Sequence, residues 1–147
     1  MKLKEIDTVE KLFKYCKYND KRVETLPHTP NATQVFPIEC YKQNKSGSIK
    51  MYILPLPIDN IYSTCKGIVG FIFSYDTPIG VLKQGKVYVL NNCCLRLSHT
   101  TDIILEEFNK IFSIISLDSL LHICIMLNID MGYLKGAYSE DFKYGCN

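Results

Sequence analysis

No apolar stretch of this chain approaches the roughly 20 residues that a bilayer-spanning helix needs. The most apolar window, residues 117–129, is broken by Asp118, His122 and Asn128, so a buried helix is expected there. The opening Met1-Lys2-Leu3-Lys4-Glu5-Ile6-Asp7 is charged throughout and has no apolar run of the kind a secretory leader carries. A soluble, cytoplasmic protein without membrane contact is the expectation. Metal motifs are missing too. The seven cysteines (16, 40, 65, 93, 94, 124 and 146) are odd in number, and no pair stands at C-x-x-C spacing, which supports neither a disulfide framework nor a zinc site. Cys16, Cys40 and Cys124 occupy positions where the local pattern wants a small apolar side chain, as free cysteines do in a reducing compartment. His28, His99 and His122 fall in a loop, a helix start and a helix interior without H-x-x-x-H spacing, so no metal and no cofactor is expected. There is no phosphate-cradling glycine loop, no internal repeat and no low-complexity segment; Gly67 and Gly70 lie in a strand pattern, where glycine marks a bulge or close packing.

What is present is a chain of 147 residues with 47% hydrophobic and 22% charged content, the size of one domain (1–147) around one core. The net charge of +2 conceals an asymmetry. Residues 1–50 hold ten Lys/Arg against six Asp/Glu, whereas residues 101–147 hold three against seven. A basic first third and an acidic last third suggest a polarised surface.

A first helix is expected to start at Asp7, with Glu10 completing a capping-box-like pattern and Val9, Leu12, Phe13 and Cys16 forming one apolar stripe. Its opposite face is Lys11, Lys14, Tyr15, Tyr18, Lys21 and Arg22. Residues 26–33, with Pro27 and Pro30, read as a loop. Residues 35–41 and 48–54 read as a hairpin around the polar 43–47 turn, with Pro37 pushing the first strand toward an edge or a bulge. The continuous apolar run 67–75 fits a central strand covered on both faces. Pro78 is expected to break the chain before a tight hairpin, 79–83 and 86–90, around Gln84-Gly85, and residues 94–97 suggest one more short strand. Ser98 or Thr100 can cap a second helix bearing Ile104, Phe108, Ile111 and Ile115, with a third helix over 116–128; the pattern does not say whether the two are one kinked rod. The tail should pack through Tyr133, Tyr138, Phe142 and Tyr144. Strands in one run followed by helices in another give an α+β fold: a mostly antiparallel sheet of about five or six strands, covered on one face by an N-terminal helix and two C-terminal helices.

Ser74-Tyr75-Asp76-Thr77-Pro78-Ile79-Gly80, then Gly85, Val87 and Tyr88, then Ser98, Thr100 and Thr101, make up the most distinctive stretch of the chain. It resembles the S-Y-x-T-P-I-A … G-x-V-Y … Y-S-x-T-T pattern of a small domain of unknown function in proteins of bacteriophages and plasmids. Gly80 stands where that pattern has alanine, and Leu97 where it has an aromatic residue. The resemblance implies no activity. It implies an origin: an accessory protein of a mobile element that acts in the host bacterial cytosol, in the company of counter-defence proteins such as inhibitors of CRISPR systems.

Cys93 or Cys94 with His99 would make a nucleophile and base only with an orienting carboxylate and an oxyanion hole, and no motif supplies either. Two cysteines after Asn91-Asn92 read more simply as a strand start. No catalytic residue is expected, and the protein is read as not an enzyme. The strongest surface feature is the basic face of the first helix, where Lys11, Lys14, Lys17, Lys21 and Arg22 combine phosphate-pairing charge with Tyr15 and Tyr18 as rings that can stack on bases. Glu10, Asp20 and Glu24 dilute that charge, and a solvated helix face is the plainer alternative. The acidic segment, with Asp102, Glu106, Glu107, Asp118, Asp130, Glu140 and Asp141, could mimic phosphate, although carboxylates at helix starts have an ordinary structural use. Tyr75, Thr77, Thr100 and Thr101 could line a small-ligand pocket beside the second helix, with capping by Ser98 and Thr100 as the structural alternative. The expected function is stoichiometric binding and inhibition of a host protein, a nucleic-acid-binding effector of a defence system; direct nucleic-acid binding and sequestration of a nucleotide signal are the alternatives.

Overall fold

The computed structural model describes residues 1–59, 62–92 and 97–134. A 3-10 turn over Leu3–Glu5 leads into helix α1 (Val9–Tyr15), and a six-stranded sheet follows. Its strands are β1 (Cys40–Gln43), β2 (Lys50–Ile53), β3 (Ile68–Ser74), β4 (Thr77–Lys83), β5 (Lys86–Leu90) and β6 (Ser113–Ile115), with helices α2 (His99–Phe108) and α3 (Leu117–Leu127). The spatial order is the chain order, β1 to β6. Every neighbouring pair is antiparallel except β5 and β6, which run parallel. A parallel neighbour requires a crossover, and α2 supplies it. The fold is α+β, with a mixed sheet.

Phe71, Ile72 and Phe73 of β3 have no exposed surface. Because successive strand residues point to opposite faces, the centre of the sheet is covered on both sides, as the apolar run 67–75 leads one to expect. Helices contribute Leu12 from α1, Ile104, Leu105 and Phe108 from α2, and Leu120, Ile123 and Cys124 from α3. Glycine lets strands approach closely here. At Gly70 a Cβ would lie 2.9 Å from the Tyr52 carbonyl oxygen, and the β3–β4 register shifts between Ile68 and Gly70.

Several boundaries differ from the sequence reading. Thr8, not Asp7, caps α1, its hydroxyl accepting from the Lys11 amide, while Asp7 pairs with the Lys11 ammonium at 2.8 Å. The first strand starts at Cys40; residues 36–38 instead bond to Leu26 and Glu24, outside the sheet. Pro78 sits inside β4 rather than before it, opposite Phe73 where the register shifts, a position that needs no proline N–H. The Gln84-Gly85 hairpin forms as expected, with positive φ at both residues (54° and 75°). The second helix stops at Phe108. Asn109 explains the stop: its side-chain amide donates to Leu90 O at 2.8 Å and its side-chain oxygen accepts from Asn92 N, which stitches the helix end to the end of β5. The chain then returns as β6, so Ile111 and Ile115 leave the helical stripe and α2 and α3 are separate. Tyr133 is 80% exposed rather than packed, although its amide donates to Thr77 Oγ1. Cys94 to Arg96 of the expected 94–97 strand, and Tyr138, Phe142 and Tyr144, lie outside the described residues.

Candidate functional site

The last turn of α1 carries Lys14 and Tyr15, and the buried Cys16 that follows anchors the chain as it leaves the helix. Burial pushes the Cys16 thiol up to about 12, so it stays a neutral packing group. Two residues later the backbone of Tyr18 pairs both ways with Gln43, its amide 3.1 Å from Gln43 O and its carbonyl accepting from Gln43 N at 2.6 Å. That bridge lays the α1 exit against the end of β1, beside the β1–β2 turn.

The turn is held by its own side chains. Asn44 donates to Ser48 Oγ at 2.8 Å and accepts from the Ile49 amide at 3.0 Å, while Ser46 and Ser48 share a hydrogen bond at 2.9 Å. Gly47 supplies the left-handed backbone the turn needs (φ 76°). Between the turn and the helix exit lies a groove of about 600 Å³, lined by Met1, Lys14, Tyr15, Lys17, Tyr18, Asn44, Lys45 and Ser46.

Charge in this groove is of one sign. Its lining has three lysines and no carboxylate. The ion pairs among the described residues are Lys11–Asp7, Arg22–Asp20, Lys50–Asp76 and Lys110–Glu107, none of which takes Lys14, Lys17 or Lys45. The Lys17 ammonium lies 5.7 Å from the centre of the Tyr18 ring, and that residue is 42% exposed.

Of the residues read as a basic face, Lys14, Tyr15, Lys17 and Tyr18 therefore come together. Lys11 stays on α1, committed to Asp7. Lys21 and Arg22 lie beyond the helix; Lys21 borders a separate depression with Asn19, Asp20 and Tyr41, and Arg22 forks onto Asp20 with two side-chain bonds of 3.0 Å. Those bonds hold the Asp20 carboxyl below the usual carboxylate range. Seven helical residues are too few to carry the whole face as one stripe, because the chain turns off at Cys16 to meet β1. Asn44, Lys45 and Ser46 were not legible as site residues: the polar turn was readable, but its meeting with Tyr18 was not.

The second candidate set sits at the same end of the sheet, where Lys50 pairs with Phe73 in the ladder and its ammonium reaches Asp76 at 3.5 Å. Tyr75 is exposed in the β3–β4 turn at φ 53°. Thr77 and Thr101 are buried and their hydroxyls are engaged, Thr77 with the Tyr133 amide and Thr101 with Ser74 and Ser98. Thr100 is exposed. Ser98 is the α2 cap, accepting from the Thr101 amide at 3.1 Å. His99 is exposed, whereas Cys93 and Cys94 lie outside the described residues. His122 is half-buried, its ring edge-to-face with Tyr62 at 5.9 Å. Asp102 and Asp118 stand in the first turns of α2 and α3, where the helix dipole favours them; Glu140 and Asp141 lie outside the described residues.

Among the described residues no group of three or more His, Cys, Asp and Glu could hold a metal ion, and none of their helices is long and apolar enough to cross a membrane. Comparison with protein-family models, curated proteins and solved structures gives no match.

Proposed function

We propose that this protein acts by stoichiometric binding rather than by chemistry, and that the groove between the α1 exit and the β1–β2 turn takes an anionic segment of a host macromolecule. The observation that carries this reading is the trio Lys14, Lys17 and Lys45, none of them paired with a carboxylate of the described residues, in a groove whose lining has no acid. Lys11, Arg22 and Lys50, by contrast, are paired with Asp7, Asp20 and Asp76. Charge complementarity of this kind sets partner choice and association rate. The rigid turn adds pre-organisation, which lowers the entropy lost on binding.

The resemblance of residues 74–101 to accessory proteins of phages and plasmids gives the host macromolecule a setting, the nucleic-acid-handling complex of a host defence system, whose effector is inhibited by occupancy. The test is capture from bacterial lysate with the tagged protein and, in parallel, with a Lys14→Gln/Lys17→Gln/Lys45→Gln variant. A stoichiometric partner held by the first and lost by the second is the expected result. A partner retained equally by both would remove the groove from the interface.

A further inference from the structure

Resting on that reading, we infer that the anionic segment is single-stranded nucleic acid, with phosphates on Lys14, Lys17 and Lys45 and a base stacked on the exposed ring of Tyr18. A carboxylate-rich peptide would present the same charge, so the choice turns on what else lines the groove. Two tyrosines line it, and Tyr18 presents its ring beside the Lys17 ammonium. Aromatic platforms serve any base, because every base has a π-face, whereas a carboxylate makes no use of them. The cations are all lysines. Planar, bidentate recognition of a carboxylate or a phosphate favours arginine, and Arg22, the one arginine among the described residues, has its fork committed to Asp20. Lysine acts as a point charge, which suits contact with a phosphate backbone irrespective of sequence.

The site also has a direction. Tyr18 lies on the β1 side of the sheet end and Tyr75 in the β3–β4 turn at the same end, three strand spacings away or roughly 14 Å. Lys50 lies on the strand between them. A strand leaving the groove along this edge would meet a second exposed ring at Tyr75, 43% exposed. An unstacked strand can use both rings. In a duplex the bases are already stacked on one another and unavailable.

The experiment is fluorescence anisotropy of the full chain against labelled oligothymidylate and oligouridylate, with a duplex of equal length and poly-glutamate as comparisons. The single strands should bind, with log Kd rising with log salt at a slope of roughly 2 for three phosphate contacts. Tyr18→Ala should weaken binding about fivefold or more, and Tyr18→Phe should not, because the ring is what stacks. Lys86→Gln, a control on the exposed start of β5, should leave affinity unchanged, and circular dichroism verifies that each variant is folded. Lysine-dependent binding of poly-glutamate without binding of either oligonucleotide would overturn the nucleic-acid inference and leave the groove as a protein contact. Binding of neither polyanion would overturn both. Duplex bound as tightly as single strand, or an unchanged Kd for Tyr18→Ala, would overturn the single-strand assignment.

Discussion

Ser74 Oγ lies 2.6 Å from Thr101 Oγ1, a hydrogen bond between buried residues that joins the end of β3 to the first turn of α2 across 27 residues of sequence. Thr101 Oγ1 also accepts from Ser98 Oγ at 2.9 Å, so the helix cap and the sheet share one chain of hydroxyls. Ser74, Ser98 and Thr101 thus form one device that fixes where α2 starts. Thr101→Val keeps the shape and removes the polar links, and should cost about 2 kcal/mol because Ser74 is left buried without its partner. Ser74→Ala should cost about 1 kcal/mol, since Thr101 retains Ser98. Urea unfolding of both singles and the double should give a coupling energy of at least about 0.5 kcal/mol; strict additivity would mean that the bond contributes nothing.

Gly80 of β4 lies opposite Val89 of β5 in the ladder. A methyl group there would run into the carbonyl oxygen of Tyr88 on β5. Gly80→Ala should therefore destabilise the fold by roughly 1–3 kcal/mol, the usual cost of overpacking, even though alanine is favoured over glycine by chain entropy alone. Thermal unfolding decides it. A variant as stable as the parent would mean that β4 and β5 can separate at this point without loss.

Where information was local, it could be read from the sequence. Gln84-Gly85 specifies its own turn, and the apolar run of β3 its own burial. The sixth strand was hidden because Ile111 and Ile115 continue the helical spacing set by Ile104 and Phe108. Only the tertiary bonds from Asn109 to Leu90 and Asn92 end the helix in time to free them. The candidate site divides in the same way. Lys14, Tyr15, Lys17 and Tyr18 are neighbours in sequence and were visible as a basic, aromatic cluster. Asn44, Lys45 and Ser46 join them only through the pairing of Tyr18 with Gln43, which no spacing encodes.

Burial holds the Cys16 and Cys124 thiols at about 12, against an ordinary 9.0. An unfolded chain releases these protons near its ordinary value, while the folded chain retains them until about pH 12. Between those limits the unfolded state binds fewer protons, so stability must fall as pH rises, by up to about 1.4 kcal/mol per pH unit for each thiol. Tyr41, raised by burial from 10.0 to about 12, adds to the fall at the upper end. The urea midpoint should decline from about pH 8 to about pH 11, and Cys16→Ala with Cys124→Ala should flatten that decline. Both thiols should also resist alkylation in the native state and react once urea unfolds the chain.

Lys14 and Lys21 belong to the same expected basic face but stand in different surroundings, and this makes them a paired test. Lys14 lines the acid-free groove, whereas Lys21 borders a depression that it shares with Asp20 and Glu39. Reversing Lys14 together with Lys17 to Glu should weaken partner binding about tenfold, on the basis of up to about 1 kcal/mol for each exposed charge interaction. Reversing Lys21 should change it by less than about twofold, because Lys21 does not line the groove and salt screens an exposed charge outside it. The measurement is titration of the captured partner, or of single-stranded oligonucleotide, at low and high salt. The difference between the variants should shrink as salt screens the groove. If Lys21→Glu proved the more damaging change, the working surface would have to move to the Asp20 side of the Tyr18–Gln43 bridge, and the groove would be left as a solvated gap between a helix end and a turn.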